Sequence, residues 1–370
     1  MTNKVKSRKL PRISVIIPVK PDGKTEAVIR SLKAVDYPSK LIEVVVARGL
    51  QPSRQRNRAA GEARGSILYF LDNDSEVSRP AFKRVVAAFK GEKIGSTAPV
   101  RHFSLLPLFA CQWLEDKFFS GRQSAGKTVA VGGPSIWERK ESFWSSISGI
   151  IFESFFAYFV MTSRFRPNGS FRYTSEKELV LCNLAVEKRA FLKIKGFKEE
   201  LYPNEENEFL NRLSQKGFSL VYHPGVFVHR PRRESLIKIL KMFFDYGRGR
   251  MEHVRVRGLK DSWLFLVPLI FSIYLLSLLF FQAWVLLWPL IIYFGLGFGS
   301  ALGFALRRKK SYLALILPWF FLLVHLTYAF GLFWGLATDL DQTRKKKRAR
   351  PIKVLKVKKF NQAWEKVSLG

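Results

Sequence analysis

The sequence is short of acid. Only 29 of its 370 residues are Asp or Glu, against 62 Lys or Arg, for a formal net charge of +33. An imbalance of this size fits an anionic partner, either nucleic acid or an acidic membrane surface. Cysteine is scarcer still. Cys111 and Cys182 lie far apart, neither beside a second Cys or a His at metal-ligand spacing. That pattern implies no disulfide framework and no zinc site, and fits reduced thiols in a cytosolic domain. The first ten residues are basic and polar, with no apolar run after them. No secretory signal is read there, and the residues that follow are expected to stay on the side where they are made.

Charge itself is missing from two long stretches. Ser262 to Leu306 carries none, and after Arg307-Arg308-Lys309-Lys310 neither does Ser311 to Thr338. A membrane span needs roughly 20 apolar residues. The first stretch is long enough for two spans and the second for one. A membrane therefore becomes the expected explanation of the basic charge, and no nucleic-acid partner is expected.

What is present begins with short β-branched runs. Ile13-Ser14-Val15-Ile16-Ile17-Pro18 reads as a buried strand closed by proline. Thr25 to Val35 places Ala27, Val28, Leu32 and Val35 on one helical face, and Tyr37-Pro38 ends that helix. Ile42 to Ala47 is a second strand, Ser53 to Gly65 a polar helix carrying Arg54, Arg56, Arg58 and Arg64, and Ile67 to Leu71 a third strand. Pro80 to Lys90 is again helical. Strand and helix in alternation predict an α/β fold with a mostly parallel, doubly wound sheet. The third strand runs into Leu71-Asp72-Asn73-Asp74. It delivers two carboxylates to the carboxyl edge of the sheet, where such folds bind ligands. Residues i and i+2 point the same way, so Asp72 and Asp74 can share one hard cation, Mg²⁺ or Mn²⁺. An Asx turn after the strand is the competing explanation of the same residues.

Together these pieces resemble the family 2 glycosyltransferases of the GT-A fold. The resemblance rests on Val15-Ile16-Ile17-Pro18, on the run Arg56-Asn57-Arg58-Ala59-Ala60-Gly61-Glu62-Ala63-Arg64-Gly65, and on Leu71-Asp72-Asn73-Asp74. It continues through Cys182-Asn183-Leu184-Ala185-Val186 with Arg189 and Gly196-Phe197. Asn204-Glu205-Glu206-Asn207-Glu208 with Arg212, then Val221-Tyr222-His223-Pro224 and Val228-His229-Arg230, complete it. The order spans residues 11 to 250, and the part from Tyr246-Gly247-Arg248-Gly249-Arg250 onward is similar to enzymes that build bacterial exopolysaccharides. The chain departs from the family where an Asp-Asp-Gly-Ser run usually follows the second strand. Ala47-Arg48-Gly49-Leu50-Gln51-Pro52-Ser53 stands there, without the carboxylate that contacts the base.

The resemblance implies a nucleotide-sugar donor held by Pro18, Arg56, Asn57 and Asp72, with Asp74, Asp72 and His229 at the metal. Arg binds phosphate bidentately, which suits Arg56, and a neutral imidazole can ligate Mn²⁺. His223, before a proline, is read as structural. An acceptor hydroxyl needs a base; Glu206 is the candidate, with Glu205 as its neighbour, although acids at a helix start are also favoured by the helix dipole. The expected activity is a membrane-bound inverting transfer to a hydroxyl of a lipid-linked or growing glycan. Transfer to a polyprenyl phosphate, or a non-catalytic basic membrane-tethered binding protein, are the alternatives.

The domain expectation is a basic tail at 1–10, a GT-A domain at 11–230, interfacial basic helices at 231–261, a transmembrane region at 262–338 and a basic tail at 339–370. Leu236, Ile239, Leu240 and Phe243 form one helical face among basic neighbours, which reads as a helix on anionic lipid. Phe143 to Met161, rich in aromatics, reads as a second interfacial element. The protein is expected at the cell membrane, multi-pass, with its catalytic domain cytoplasmic, where nucleotide sugars are. Three spans would leave the basic tail outside, against the positive-inside rule, and Pro318, Gly331 and Gly335 offer breaks in the last of them.

Overall fold

The structure is a computed structural model and describes residues 10–92, 126–136, 142–259, 263–281, 283–338 and 351–367. Cys111 and residues 1–9 lie outside the described residues. In chain order the elements are β1 (Ile13–Val19), α1 (Glu26–Lys33), β2 (Ile42–Arg48), α2 (Pro52–Glu62), β3 (Ile67–Leu71), β4 (Glu76–Val77) and α3 (Ala81–Phe89). Then come β5 (Thr128–Gly132), β6 (Ser135–Ile136), α4 (Phe143–Glu153), α5 (Phe155–Tyr158), β7 (Arg172–Thr174), β8 (Asn183–Glu187) and α6 (Lys188–Lys193). The remainder are α7 (Glu205–Gln215), β9 (Ser219–Tyr222), β10 (Val228–His229), α8 (Leu236–Arg257), α9 (Val267–Ser277), α10 (Trp288–Arg308), α11 (Tyr312–Ala337) and β11 (Lys353–Lys358).

Eight strands form one sheet in the order β11-β2-β1-β3-β8-β5-β9-β7. β1 pairs in parallel with β2 and β3, and β5 with β9, while β8, β7 and β11 run against their neighbours. The sheet is buried on both faces, which explains why its central strands read as continuous apolar runs rather than as alternation. Val15 and Ile17 face α1 and α3 with Val28, Leu32, Phe82 and Val85. Ile16, Val45 and Phe70 face α2, α6 and α7 with Ala59, Phe191, Phe209 and Leu213. β1 does not stop at Pro18 but continues to Val19. Its pairing with β3 ends at Ile16↔Phe70, so the missing N–H of Pro18 breaks no ladder bond on that side.

Beside the sheet edge, β4, β10 and β6 form a small three-stranded sheet, with His229 opposite Glu76 and Ile136. This places the start of the 230–233 segment directly against the end of β3.

The C-terminal half departs from expectation in three places. Phe143 to Met161 is not a separate surface element: Ile147, Ile150, Ile151 and Phe152 of α4 are buried in one cluster with Ile239 and Phe243 of α8, Phe304 of α10, and Leu313, Leu317 and Phe321 of α11. α11 is not broken at Pro318, Gly331 or Gly335. Its glycines instead admit a neighbouring backbone: a Cβ on Gly331 would lie 2.2 Å from Phe244 O, and one on Gly247 of α8 would lie 2.1 Å from Tyr328 O. Small residues at a helix contact permit this approach.

The third departure is the basic tail. Residues 353–358 are β11, paired antiparallel with β2 from Lys353↔Arg48 to Lys358↔Val44. Ile352 packs within the core against Gly49, where an added Cβ would lie 3.3 Å from its Cγ1. Lys358 is buried, its ammonium donating to Ser39 O at 2.7 Å and Ile42 O at 2.8 Å and lying 5.0 Å from the Trp364 ring centroid. Lys residues alternating with Val and Leu hide a strand inside what composition reads as a solvated tail.

Ending the chain at Thr338 removes β11 and bares the β2 edge. Its unfolding midpoint in detergent should fall by roughly 10 °C, at about 2–4 °C per kcal/mol for a domain of this size. Unchanged thermal melts would show that β11 contributes nothing to the sheet.

Candidate active site

The carboxyl ends of β1, β2 and β3 lie on one edge because the three strands are parallel and in register. Asp72 leaves β3 at that edge. One of its oxygens, Oδ1, accepts from Arg56 Nη2 at 2.7 Å, and the other, Oδ2, lies 3.0 Å from Arg230 Nη2. Arg56 comes from α2 and continues to Glu205 at the start of α7, with Nη1 at 3.0 Å from Oε1. Arg230, just after β10, donates through Nε to Asp74 Oδ1 at 2.9 Å. Glu205, Arg56, Asp72, Arg230 and Asp74 are thus one chain of alternating charge that links α7, α2, β3 and the segment after β10.

Burial sets the protonation of this chain. Desolvation raises the Asp72 carboxyl, but Arg230 and then Arg56 outweigh it, and the net shift is downward. Burial opposes the charge on Arg230, while Asp72 and Asp74 hold it, so its pKa rises well above the ordinary value. Glu205 goes the other way. Burial first, and the adjacent Glu206 second, push its carboxyl up to about 7 against the pull of Arg56. An ion pair and a raised pKa coexist here because desolvation is the larger effect.

Glu206 is the more exposed of the two acids, at 13% of its side chain against 2% for Glu205. Its Oε1 is 3.6 Å from Arg164 Nη1. Arg164 is itself fixed by Lys177 O at 2.9 Å, Glu176 O and Asn207 Oδ1. Glu206 and Arg164 line a cavity of about 430 Å³. Arg230, Arg232, Arg233 and Arg250 join them at its polar part. The cavity continues between Phe152, Phe156, Phe265, Phe271 and Tyr293, reaching the apolar helices α9 and α10. Arg232 lies 5.0 Å from the ring centroid of Phe165 and 5.4 Å from that of Phe152. Such stacking accommodates a guanidinium with little water.

Several expected site residues sit elsewhere. Asn57 does not join the ion chain: its Nδ2 donates to Phe197 O at 2.8 Å and Glu199 Oε1 at 3.2 Å, and its Oδ1 accepts from Phe197 N at 2.9 Å. It pins the Gly196-Phe197 turn. Pro18 is buried within β1. Arg58 is exposed, and Arg64 lies 3.7 Å from Glu43. His223 is buried, its Nδ1 accepting from Gly225 N at 3.0 Å. Asp72, Asp74 and His229 are not gathered into a metal cluster; among the described residues no three His, Cys, Asp or Glu side chains are grouped to hold an ion. The Arg230 guanidinium lies between the two aspartates instead. Two hard carboxylates at a sheet edge still fit Mg²⁺ or Mn²⁺, because these ions commonly take one or two carboxylates and complete their shell with substrate phosphates.

Sequence reasoning missed Arg230 and Arg164. Arg230 was in view as the last residue of Val228-His229-Arg230, the first basic position after the short strand. Arg164 stands in no motif, and only packing brings it to Glu206.

Residues 14–143 match the family model for glycosyl transferase family 2. No curated protein matches the chain. Among solved structures it is similar to the mannosyltransferase PcManGT from Pyrobaculum calidifontis, solved in complex with GDP-Man and Mn²⁺. Sequence identity is 14%, covering 89% of this chain and 88% of that one, with a TM-score of 0.51. S. aureus TarS is more distant. A TarS structure is 12% identical over 66% of this chain and 40% of its own, and TarS 1-349 with UDP is 11% identical over 87% and 91%, each at TM-score 0.36.

The raised pKa of Glu205 has a testable sign. The folded state holds this proton more tightly than the unfolded chain, whose carboxyl titrates near 4.5. Its contribution to stability is therefore fully present below pH 4.5 and is lost as pH rises to 7. Between those limits the stability of the wild type relative to Glu205→Gln should fall by up to about 3 kcal/mol. Denaturant melts at intervals across that window measure it, and a difference independent of pH would contradict it.

Proposed function

We propose that this chain, which carries a family 2 glycosyltransferase domain of GT-A fold, moves a sugar from a nucleotide-sugar donor to a hydroxyl of a lipid-linked or growing glycan at the cytoplasmic face of a membrane. The observation that carries the acceptor side is the shape of one cavity. Its polar part holds Glu206 beside the ion chain, and its apolar part runs between aromatic side chains to α9 and α10. A water-soluble acceptor would not call for that second part. An acceptor with a polar head and a hydrocarbon tail would.

The donor diphosphate belongs at the carboxyl edge of β1–β3, where Arg230 and Arg56 offer guanidinium groups. Asp74 and Asp72 would hold Mg²⁺ or Mn²⁺, which would supply Lewis-acid neutralisation of the leaving diphosphate; the Mn²⁺ and GDP-Man of the Pyrobaculum enzyme are consistent with this. Arg230, paired with Asp74 and Asp72, also places its guanidinium where phosphate oxygens of the donor would reach it. Glu206 takes the proton from the acceptor hydroxyl as that oxygen attacks the anomeric carbon. The bond from this carbon to the diphosphate oxygen breaks, and its electron pair leaves with the diphosphate. Attack opposite the leaving group inverts the anomeric centre. Arg164, 3.6 Å from Glu206, holds that carboxylate at the wall of the cavity.

The arginines of the cavity support a second reading, transfer to a polyprenyl phosphate. A phosphate acceptor is already ionised and needs no base. The two readings separate on Glu206→Gln in the detergent-solubilised protein. Hydroxyl transfer predicts a fall in kcat of about 100-fold or more with donor affinity retained, whereas near-wild-type turnover would indicate the phosphate acceptor. A screen of nucleotide sugars against lipid-linked acceptors, scored by transfer, identifies the pair to use. Asp74→Ala should lose turnover that added Mn²⁺ does not restore. Restoration would remove Asp74 from the metal site.

A further inference from the structure

The apolar helices carry an inference that is independent of the chemistry of transfer. By length and composition two segments could cross a bilayer, Trp284–Arg308 with 25 residues and Tyr312–Ala337 with 26. Their attachments argue otherwise.

Both ends of α11 are fastened to the catalytic side. Just before it, Arg307 and Arg308 reach Glu153 Oε2 at 4.0 and 3.7 Å, and Arg308 donates to Ser146 Oγ at 3.2 Å, all at α4. The end of α4 is part of the catalytic domain, because Phe152 stacks on Phe165 at 4.3 Å and lies under Arg232. At the other end, Arg255 of α8 donates to Gly335 O at 3.1 Å and Thr338 O at 2.6 Å. The chain then returns to the catalytic sheet as β11.

Between these ends α11 lies parallel to α8, with Gly331 against Phe244 and Gly335 against Arg248 and Met251. α8 cannot lie in hydrocarbon. It carries Lys238, Lys241, Asp245, Arg248, Arg250, Glu252 and Arg255, and its Gly249 packs on Pro203 beside Glu205. The face of α11 turned away from α8 is open and apolar, with Leu315 and Phe333 more than half exposed. At its margins Phe330 and Trp334 flank Phe244 of α8 and Trp319 lies against Phe294 of α10, each still more than half exposed. A helix with one face on protein and one apolar face free, marked by tryptophans, is built to lie in an interface.

α9 and α10 form an antiparallel hairpin in front of it. Phe271 stacks on Tyr293 with centroids 4.4 Å apart, and Tyr274 Oη donates to Leu286 O at 2.6 Å. The α9 arm, Trp263–Ser277, is about 22 Å long at 1.5 Å per residue, short of the roughly 30 Å core. The tip carries no charge and exposes Leu279, Phe280, Phe281 and Trp284 at 63–80%. Its backbone is largely self-satisfied: the N–H groups of Leu278, Leu279, Phe280 and Phe281 donate to carbonyls of Tyr274, Leu276 and Ser277. Irregular backbone in lipid has to be satisfied internally, and a tip emerging into water would not present four large apolar side chains.

We propose that the occupant of this surface is a lipid bilayer with anionic headgroups, entered from one side only. α9–α10 inserts as a re-entrant hairpin and α11 lies along the surface. Arg307 to Lys310 meet the headgroups, and no described segment reaches the far side. This replaces the expected multi-pass arrangement and removes its conflict with the positive-inside rule, because the basic junction and β11 then share the catalytic side.

The test is cysteine labelling of the full chain in sealed inverted and right-side-out membrane vesicles with an impermeant maleimide. Single variants Lys310→Cys, Lys359→Cys and Phe280→Cys are compared with the unsubstituted chain, whose own cysteines set the background. Lys310→Cys and Lys359→Cys should label from the cytoplasmic side alone, and Phe280→Cys from neither side until detergent is added. Labelling of Phe280→Cys from the outside would establish a two-span hairpin and overturn the proposal. Labelling of Lys310→Cys and Lys359→Cys from opposite sides would establish that α11 crosses. Ala283→Cys serves in place of Phe280→Cys should that variant not accumulate. Flotation with anionic vesicles tests the membrane location separately from any transfer activity. A chain that stays in the soluble fraction would also overturn the proposal.

Discussion

Asp72 is shared by two arginines, and the geometry of the site follows from that sharing. A carboxylate at the end of a buried strand loses hydration, and burial by itself raises its pKa. Arg56 on one oxygen and Arg230 on the other keep it ionised. Each arginine is in turn held by a second acid, Glu205 and Asp74. Arg56 and Glu205 are the buried pair of the chain; removing one partner of a buried pair leaves an uncompensated charge, which typically costs about 3–5 kcal/mol. The chain therefore fixes α7 and the segment after β10 against the sheet edge. It also divides the labour between the two adjacent acids of α7. Glu205 is committed to Arg56 with a raised pKa, and Glu206 is left facing the cavity.

The same economy of attachment governs the C-terminal half. Apolar helices have no reason to stay near a catalytic domain unless something holds them. Here Arg307, Arg308 and Arg255 provide polar ties at both ends of α11, glycines permit close backbone contact along it, and β11 closes the path into the catalytic sheet. The cavity lined by Glu206 and Arg164 lies between these two halves, so its apolar walls and its arginines come from elements that the ties keep together.

Much of the fold was legible in the sequence because its signals are local. The runs at Ile13, Ile42 and Ile67 are β-branched or aromatic, each is followed by a helix with a clear apolar face or a family motif, and Asp72 and Asp74 stand where the third run stops. The site was legible only in part. Asn57 belongs to the family motif, yet its amide serves the Gly196-Phe197 turn, a contact 140 residues away in sequence. Arg230 was visible but its role was not, since only the pairing of β10 with β4 and β6 sets it between two aspartates. Arg164 and β11 carried no signal that composition could separate from a solvated basic surface. Long apolar segments register as spans on length alone, whereas the contacts that hold α11 to the catalytic side come from residues distant in sequence.

The most direct test of the account is a double-mutant cycle on Asp72 and Glu205, which share Arg56 without touching one another. Asp72→Asn, Glu205→Gln and the double variant are compared with the wild type by denaturant unfolding at pH 8, where Glu205 is largely ionised. If the two acids act through one arginine, their effects are non-additive, with a coupling of about 1–3 kcal/mol, as for residues in one salt-bridge network. Additive effects, within a few tenths of a kcal/mol, would contradict the shared ion chain and the division of roles between Glu205 and Glu206 derived from it.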